Sequence, residues 1–124
     1  MASLYPSVEG IVASGDRVGR TIGFPTANIA TDQMPDDLQT GVYKSLVTLS
    51  TGEVFTGLAY YGPRLIFGEK VNSFEVYLLE FSGDLYEQKI RVQLEKYLRP
   101  PRDVSSLDEL KQLLQSDLLT LQSA

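Results

Sequence analysis

The hydrophobic period of this chain changes once, close to its end. Between residues 41 and 98 the apolar side chains arrive in short runs rich in β-branched and aromatic residues, and after Ser106 they recur at helical spacing. The runs "GVYKSLVTLS" and "EVFTGLAYY" flank Thr51-Gly52, which reads as a hairpin with a glycine free to take a left-handed position. "NSFEVYLLEF" and "KIRVQLEKYL" flank a second turn region, "SGDLYE". In the last run Ile90, Val92 and Leu94 alternate with Arg91, Gln93 and Glu95, as one buried and one wet face require. Leu107, Leu110, Leu114, Leu118 and Leu121 then form one helical stripe, and Ser106 with Glu109 reads as a capping box at its start. Strands first and a single terminal helix predict a mainly β fold, a small closed antiparallel barrel with the helix over one face or end. With 124 residues and neither repeats nor a linker, residues 1–124 read as one domain.

Composition narrows the chemistry. The chain has no cysteine and no histidine, which excludes a Ser-His-Asp triad, a Cys-His dyad and zinc sites built from those ligands. Catalysis would have to rest on carboxylates, hydroxyls, amides, Lys/Arg and a hard, oxygen-preferring cation. A net charge of −5 argues against an unaided grip on nucleic-acid phosphate. The opening "MASLYPSVEG" lacks the basic and apolar regions of a signal peptide, and no apolar stretch approaches membrane-spanning length. The expected location is the cytoplasm, with neither membrane nor nucleic acid as partner.

The segment before the first hairpin is of a different kind. "VEGIVAS" reads as a short extended run ending at Gly15, and the residues up to about Thr40 as a long loop with at most a brief extended piece. Within "GIVASGDRVGRTIGFPTANI", Gly10, Gly15, Gly19 and Gly23 permit positive φ and close backbone approach, as a loop cradling phosphate oxygens needs. Arg17 and Arg20 could neutralise phosphate charge. Thr26 and Asn28 stand two residues apart, on one side of an extended segment, and present oxygen ligands of the kind Mg²⁺ accepts. Plain turns with a capping Thr-x-Asn pair account for the same residues. The segment is not a Walker loop, since it lacks the Gly-Lys-Ser/Thr ending.

Two further candidates lie downstream. On the "SFEVYLLEF" strand, Phe74, Val76 and Leu78 share one face, and Glu75 shares the other with Tyr77, Leu79 and Phe81. A carboxylate among apolar neighbours is partly desolvated and suited to general-base work; a solvated strand end or an arginine partner is the simpler alternative. Glu80 falls on the opposite face, beside the turn. In "GDLYE" and "YLRPPR", Tyr86 could stack on a flat ligand and Arg99 hold its polar edge, or Tyr86 could fill a turn beside Asp84 and Arg99 balance the acidic first turn of the helix.

In order and spacing, "GIVASGDRVGRTIGFPTANI", "GVY", "FEVYLLEF", "DLY", "LRP" and "SLDELKQLLQSD" resemble the riboflavin kinase family over nearly the whole chain. The resemblance implies a six-stranded Greek-key barrel with a C-terminal helix. It implies transfer of the ATP γ-phosphoryl group to the terminal ribityl hydroxyl of riboflavin, giving FMN and ADP. By the same resemblance Thr26 and Asn28 bind Mg²⁺ and nucleotide phosphates, and Gly15, Gly19, Arg20, Gly23 and Pro25 belong to the loop over the nucleotide. Glu75 becomes the base, and Tyr86 and Arg99 fall on the flavin side. The chain departs from the bacterial pattern at "YYGPRLIF", residues 60–67, where only Gly62, Arg64 and Phe67 of Asn-Ile-Gly and Arg-Pro-Thr-Phe are kept. It departs again at Glu87, where glycine is usual, and at Pro101 and Val104. The departures lie toward the flavin loops, so a flavin- or nucleotide-binding module without turnover stands as the alternative. Bacterial relatives usually carry an adenylyltransferase domain that takes FMN on to FAD. The expectation here is a stand-alone kinase or an excised domain, monomeric, that passes FMN to such a domain or protein.

Overall fold

A computed structural model describes residues 5–13, 26–32, 34–63, 65, 68 and 70–123. Six strands and one helix follow in chain order: β1 Ser7–Ile11, β2 Ala27–Ile29, β3 Gly41–Thr48, β4 Val54–Pro63, β5 Asn72–Leu78, β6 Lys89–Arg99 and α1 Leu107–Ser123. All ladders are antiparallel, and the sheet order is β1-β6-β3-β4-β5-β2. The outermost strands meet beyond the end of β1, where the Ala13 amide donates to the Asn28 carbonyl at 2.8 Å. That bridge turns an open sheet into a nearly closed barrel, as the strand-then-helix order predicts.

The hairpin at Thr51-Gly52 is present. Gly52 has φ +95° and its amide donates to the Leu49 carbonyl at 2.9 Å. The brief extended piece expected in the long loop is β2, three residues long. It is short because proline precedes it and the chain turns after it, with Met34 N bonded to Thr31 O at 3.0 Å and Leu38 N to Pro35 O at 3.2 Å.

Alternation places one face of every strand inside. Val8, Ala27, Ile29, Tyr43, Val47, Ala59, Phe74, Val76, Ile90, Val92 and Leu94 fill the interior. Gly57 is hemmed in by the two strands beside it: a Cβ there would stand 2.8 Å from Ser45 Oγ and 2.9 Å from Val47 and Val76 side-chain carbons. The Ser45 hydroxyl is buried and satisfied by donating to Gly57 O at 3.0 Å.

The helix covers part of the outside. Leu114, Leu118 and Leu121 pack on Val42, Leu58, Tyr60, Tyr77, Leu79 and Leu98 from the outer faces of β3 to β6. Burying Leu121 alone contributes roughly 1.5–3 kcal/mol. Leu107, expected on this stripe, is 41 % exposed instead, because the first turn stands off the barrel. The cap is also shifted by one residue: Ser106 Oγ accepts from Glu109 N at 3.1 Å, but the Glu109 carboxylate accepts from Ser105 N at 2.8 Å and from the Ser105 hydroxyl. Phe81 departs from expectation as well. β5 stops at Leu78 and Glu80 takes φ +59°, so Phe81 turns inward onto Phe55, with ring centroids 5.3 Å apart. Among the described residues no helix is long and apolar enough to cross a membrane.

Candidate active site

The alternation that buries Phe74, Val76 and Leu78 leaves Glu75 on the outer face of β5, half-buried, with Tyr77. Residues directly opposite one another in antiparallel ladders share a face. Asn28 of β2 is opposite Glu75, Glu75 is opposite Tyr60 of β4, and Val42 of β3 is opposite both Tyr60 and Arg99 of β6. One row, Asn28–Glu75–Tyr60–Val42–Arg99, therefore runs across the outside of five strands. Thr26, two residues before Asn28, reaches the same spot: its hydroxyl donates to Glu75 Oε1 at 3.2 Å.

Thr26 and Asn28, which the sequence nominates as a pair, and Glu75, which it nominates apart from them, thus gather in one patch. Their donor set is a hydroxyl, an amide oxygen and a carboxylate, the oxygen ligands a hard divalent cation takes. Among the described residues no group of three or more Asp, Glu, His or Cys could hold a metal. A cation here would have few protein ligands and share the rest with phosphate and water, as Mg²⁺ commonly does. The donor set fits it.

Gly15, Arg17, Gly19, Arg20, Gly23 and Pro25, the nucleotide-loop candidates, lie outside the described residues, as do Arg64 and Phe67. Gly10 is described, and its reason is not the one expected. It has no positive φ; a Cβ there would stand 2.3 Å from Ile29 Cγ2, so glycine is required for the close passage of β1 over β2.

The flavin-side candidates are placed differently from each other. Tyr86 is 48 % exposed in the turn between β5 and β6, where its amide donates to Asp84 Oδ1 at 2.8 Å. That turn is fastened to the extension of β1, with Glu87 N bonded to Val12 O and Val12 N to Gln88 O, each at 2.9 Å. The next residue, Ala13, bridges Asn28, so the Tyr86 turn flanks the patch at one remove. Arg99 is engaged otherwise. Its Nε and Nη2 donate to the two carboxylate oxygens of Asp117 at 2.7 and 2.6 Å, and its Nη1 to Pro100 O at 3.0 Å. Asp108 and Glu109 occupy the acidic first turn of α1, and the helix acid that Arg99 balances is buried Asp117 further along instead.

Two residues of this region were not singled out from the sequence. Asp117 lies beside Leu118 on the apolar stripe, and an acid on an apolar stripe is the signal that points to a buried partner. Tyr60 packs against α1 and its hydroxyl donates to the Pro63 carbonyl. Burial pushes its phenol up to about 12, with Arg99 opposing the shift and Glu75 adding to it. The phenol therefore feels both the carboxylate on one side of the row and the guanidinium on the other.

Comparison with known proteins completes the picture. A family model described as Flavokinase, riboflavin kinase, matches residues 3–124. The chain is 39 % identical over 115 residues to the bifunctional riboflavin kinase/FMN adenylyltransferase of Escherichia coli K12, covering 92 % of this chain and 36 % of that protein. It is 36 % identical over 113 residues to the Haemophilus influenzae protein of the same description, covering 91 % and 36 %. The chain thus spans little more than a third of the length of these curated relatives. Among solved structures, a Streptococcus pneumoniae protein described as a macrolide-efflux protein superposes with a TM-score of 0.81 at 27 % identity, over 95 % of this chain and 38 % of that one. Riboflavin kinase from Trypanosoma brucei shares the fold, with a TM-score of 0.65 at 22 % identity over 94 % and 77 %. An antiparallel six-stranded barrel with one terminal helix, carrying a Thr-x-Asn strand beside a glutamate and matched by the family model almost end to end, places this chain in the riboflavin kinase family.

Proposed function

We propose that this chain transfers the γ-phosphoryl group of ATP to the terminal ribityl hydroxyl of riboflavin, giving FMN and ADP. The observation that carries the reading is the Thr26–Glu75 hydrogen bond with Asn28 opposite the same glutamate, which gathers a base and two neutral oxygen ligands. As the ribityl oxygen bonds to the γ-phosphorus, the bond from that phosphorus to the bridging oxygen breaks and its electron pair leaves with ADP. The hydroxyl proton goes to Glu75, which already accepts a hydrogen bond from an alcohol in this structure. The Thr26 hydroxyl can donate its proton to Glu75 and keep lone pairs for a ligand, and the Asn28 amide oxygen supplies another. A Mg²⁺ ion held by Thr26 and Asn28 would neutralise phosphate charge. Phosphoryl transfer asks chiefly for such positioning and neutralisation plus one proton acceptor.

Gly15, Gly19, Arg20, Gly23 and Pro25 complete the nucleotide side in this reading, and Tyr86 stacks on the flavin. Arg99 acts on the flavin side through the segment after β6, since its guanidinium is held by Asp117. Every group named belongs to one chain, so a monomer suffices, and the reaction is assigned to the cytoplasm with no membrane partner. The curated relatives are described as having both riboflavin kinase and FMN adenylyltransferase activity, and FMN made here would pass to an adenylyltransferase that forms FAD. Incubation with riboflavin and ATP, with and without Mg²⁺, tests the reading: FMN should form only with the metal.

One observation favours a second reading, a binding module without turnover. Glu87 sits at φ +67° where the family usually has glycine, beside the flavin-side turn. That reading predicts a rise in melting temperature with riboflavin or Mg·ADP and no FMN.

A further inference from the structure

The row on the outer face raises a question about Glu75. A glutamate on an outward strand face has several staggered rotamers, and the carboxylate could swing toward either neighbouring strand. It turns toward β2, where Thr26 donates to it. On the other side stands Tyr60, directly opposite in the β4–β5 ladder. Beyond Tyr60, across Val42, lies the Arg99 guanidinium.

Tyr60 is unusually well held for a residue on an outward face. Its ring belongs to the apolar cluster with Leu114, Leu118 and Leu121 of α1, and its hydroxyl is tied to Pro63 O at the end of its own strand. Packing on one side and that hydrogen bond at the tip both hold the ring in place. The lateral spacing of strands, about 4.8 Å, puts the Tyr60 side chain against the flank of Glu75. The upward pull on the phenol from Glu75 and the downward pull from Arg99 show that it stands within the field of both.

We infer that Tyr60 is a positioning residue for Glu75: its clamped ring is a wall that keeps the carboxylate turned to Thr26 and away from the side on which Arg99 lies. The inference rests on the proposed kinase reading for its consequence, but not for its geometry. Removing the ring opens space on that side, and the carboxylate gains staggered rotamers that point away from Thr26. The Thr26 bond is then lost and the base leaves the reacting hydroxyl, a displacement that costs rate more than binding.

The test compares Tyr60→Phe, Tyr60→Leu and Tyr60→Ala, with crystal structures and steady-state kinetics of each. Tyr60→Leu keeps an apolar contact with α1, so it stands in if the alanine variant does not fold. The phenylalanine variant should keep most of kcat, because the wall remains. The leucine or alanine variant should lose about tenfold to a hundredfold in kcat with KM for ATP little changed, and its Glu75 should point away from Thr26. A truncated variant whose Glu75 still accepts from Thr26 overturns the inference, as does a phenylalanine variant as slow as the truncated one. Wild-type protein that makes no FMN overturns the kinase reading separately, and the orientation of Glu75 in the truncated variant then decides this inference alone.

Discussion

Thr26 donates a hydrogen bond to Glu75 although 49 residues separate them in the chain. The pairing of β2 with β5 brings this about, because it sets Asn28 against Glu75 and leaves Thr26 at the near end of the ladder. Converting Glu75 to glutamine keeps the shape and an acceptor oxygen but removes the proton-accepting carboxylate. Glu75→Gln should lower kcat for FMN formation by about 10²- to 10⁴-fold with little change in KM for ATP. Full activity in that variant would remove Glu75 from the mechanism.

Thr26→Val and Asn28→Ala each delete one neutral oxygen from the same patch. Each should raise the Mg²⁺ concentration for half-maximal rate on the order of tenfold, the equivalent of one lost polar contact. The rise in melting temperature with Mg·ADP should shrink in parallel, whereas the rise with riboflavin alone should not.

Arg99 and Asp117 fasten α1 to β6 through a two-pronged, largely buried pair. Deleting one partner strands the other charge, so Asp117→Ala should cost about 3–5 kcal/mol in urea unfolding. The paired change Arg99→Met with Asp117→Leu should restore most of that loss, because hydrophobic replacement removes both desolvation costs. A double variant as unstable as the single one would mean that the pair adds more than it costs.

Alkaline pH should weaken the fold through Tyr43 and Tyr60. Burial is the main cause that pushes both phenols up to about 12 from 10.0. A raised phenol favours the neutral form in the folded state, so the unfolded chain ionises first. Stability is fully present below pH about 10 and is lost as pH rises toward 12. Urea midpoints measured across that window should fall, and Tyr43→Phe should flatten the decline.

Glu87 holds φ +67° with an exposed side chain, a conformation that costs an L-residue roughly 1–2 kcal/mol. Glu87→Gly should raise the urea midpoint, by less than the full strain because glycine also loosens the unfolded chain. A lowered midpoint would show that the glutamate side chain compensates locally.

Much of this protein is written in short-range pattern. The two-residue alternation of Ile90, Val92 and Leu94, the turn at Thr51-Gly52 and the leucine spacing after Ser106 each depend on neighbours within one turn or one strand, so order and type of the elements were legible. The same period put Thr26, just before β2, and Asn28 within it on one side of the chain, and Glu75 on the face opposite Phe74 and Val76. The motif resemblance supplied the riboflavin kinase family, which the family model then matched over residues 3–124.

What no local pattern carries is which strand lies beside which. The order β1-β6-β3-β4-β5-β2 joins segments far apart in sequence, because burying one continuous interior from all six strands outweighs any preference for pairing with the nearest neighbour. That order alone sets Asn28 against Glu75, stands Tyr60 beside it and commits Arg99 to Asp117 on the helix. Residue chemistry could nominate the oxygen donors and the carboxylate one by one. Only the closed packing of the barrel decided that they share a row, and which arginine was already taken.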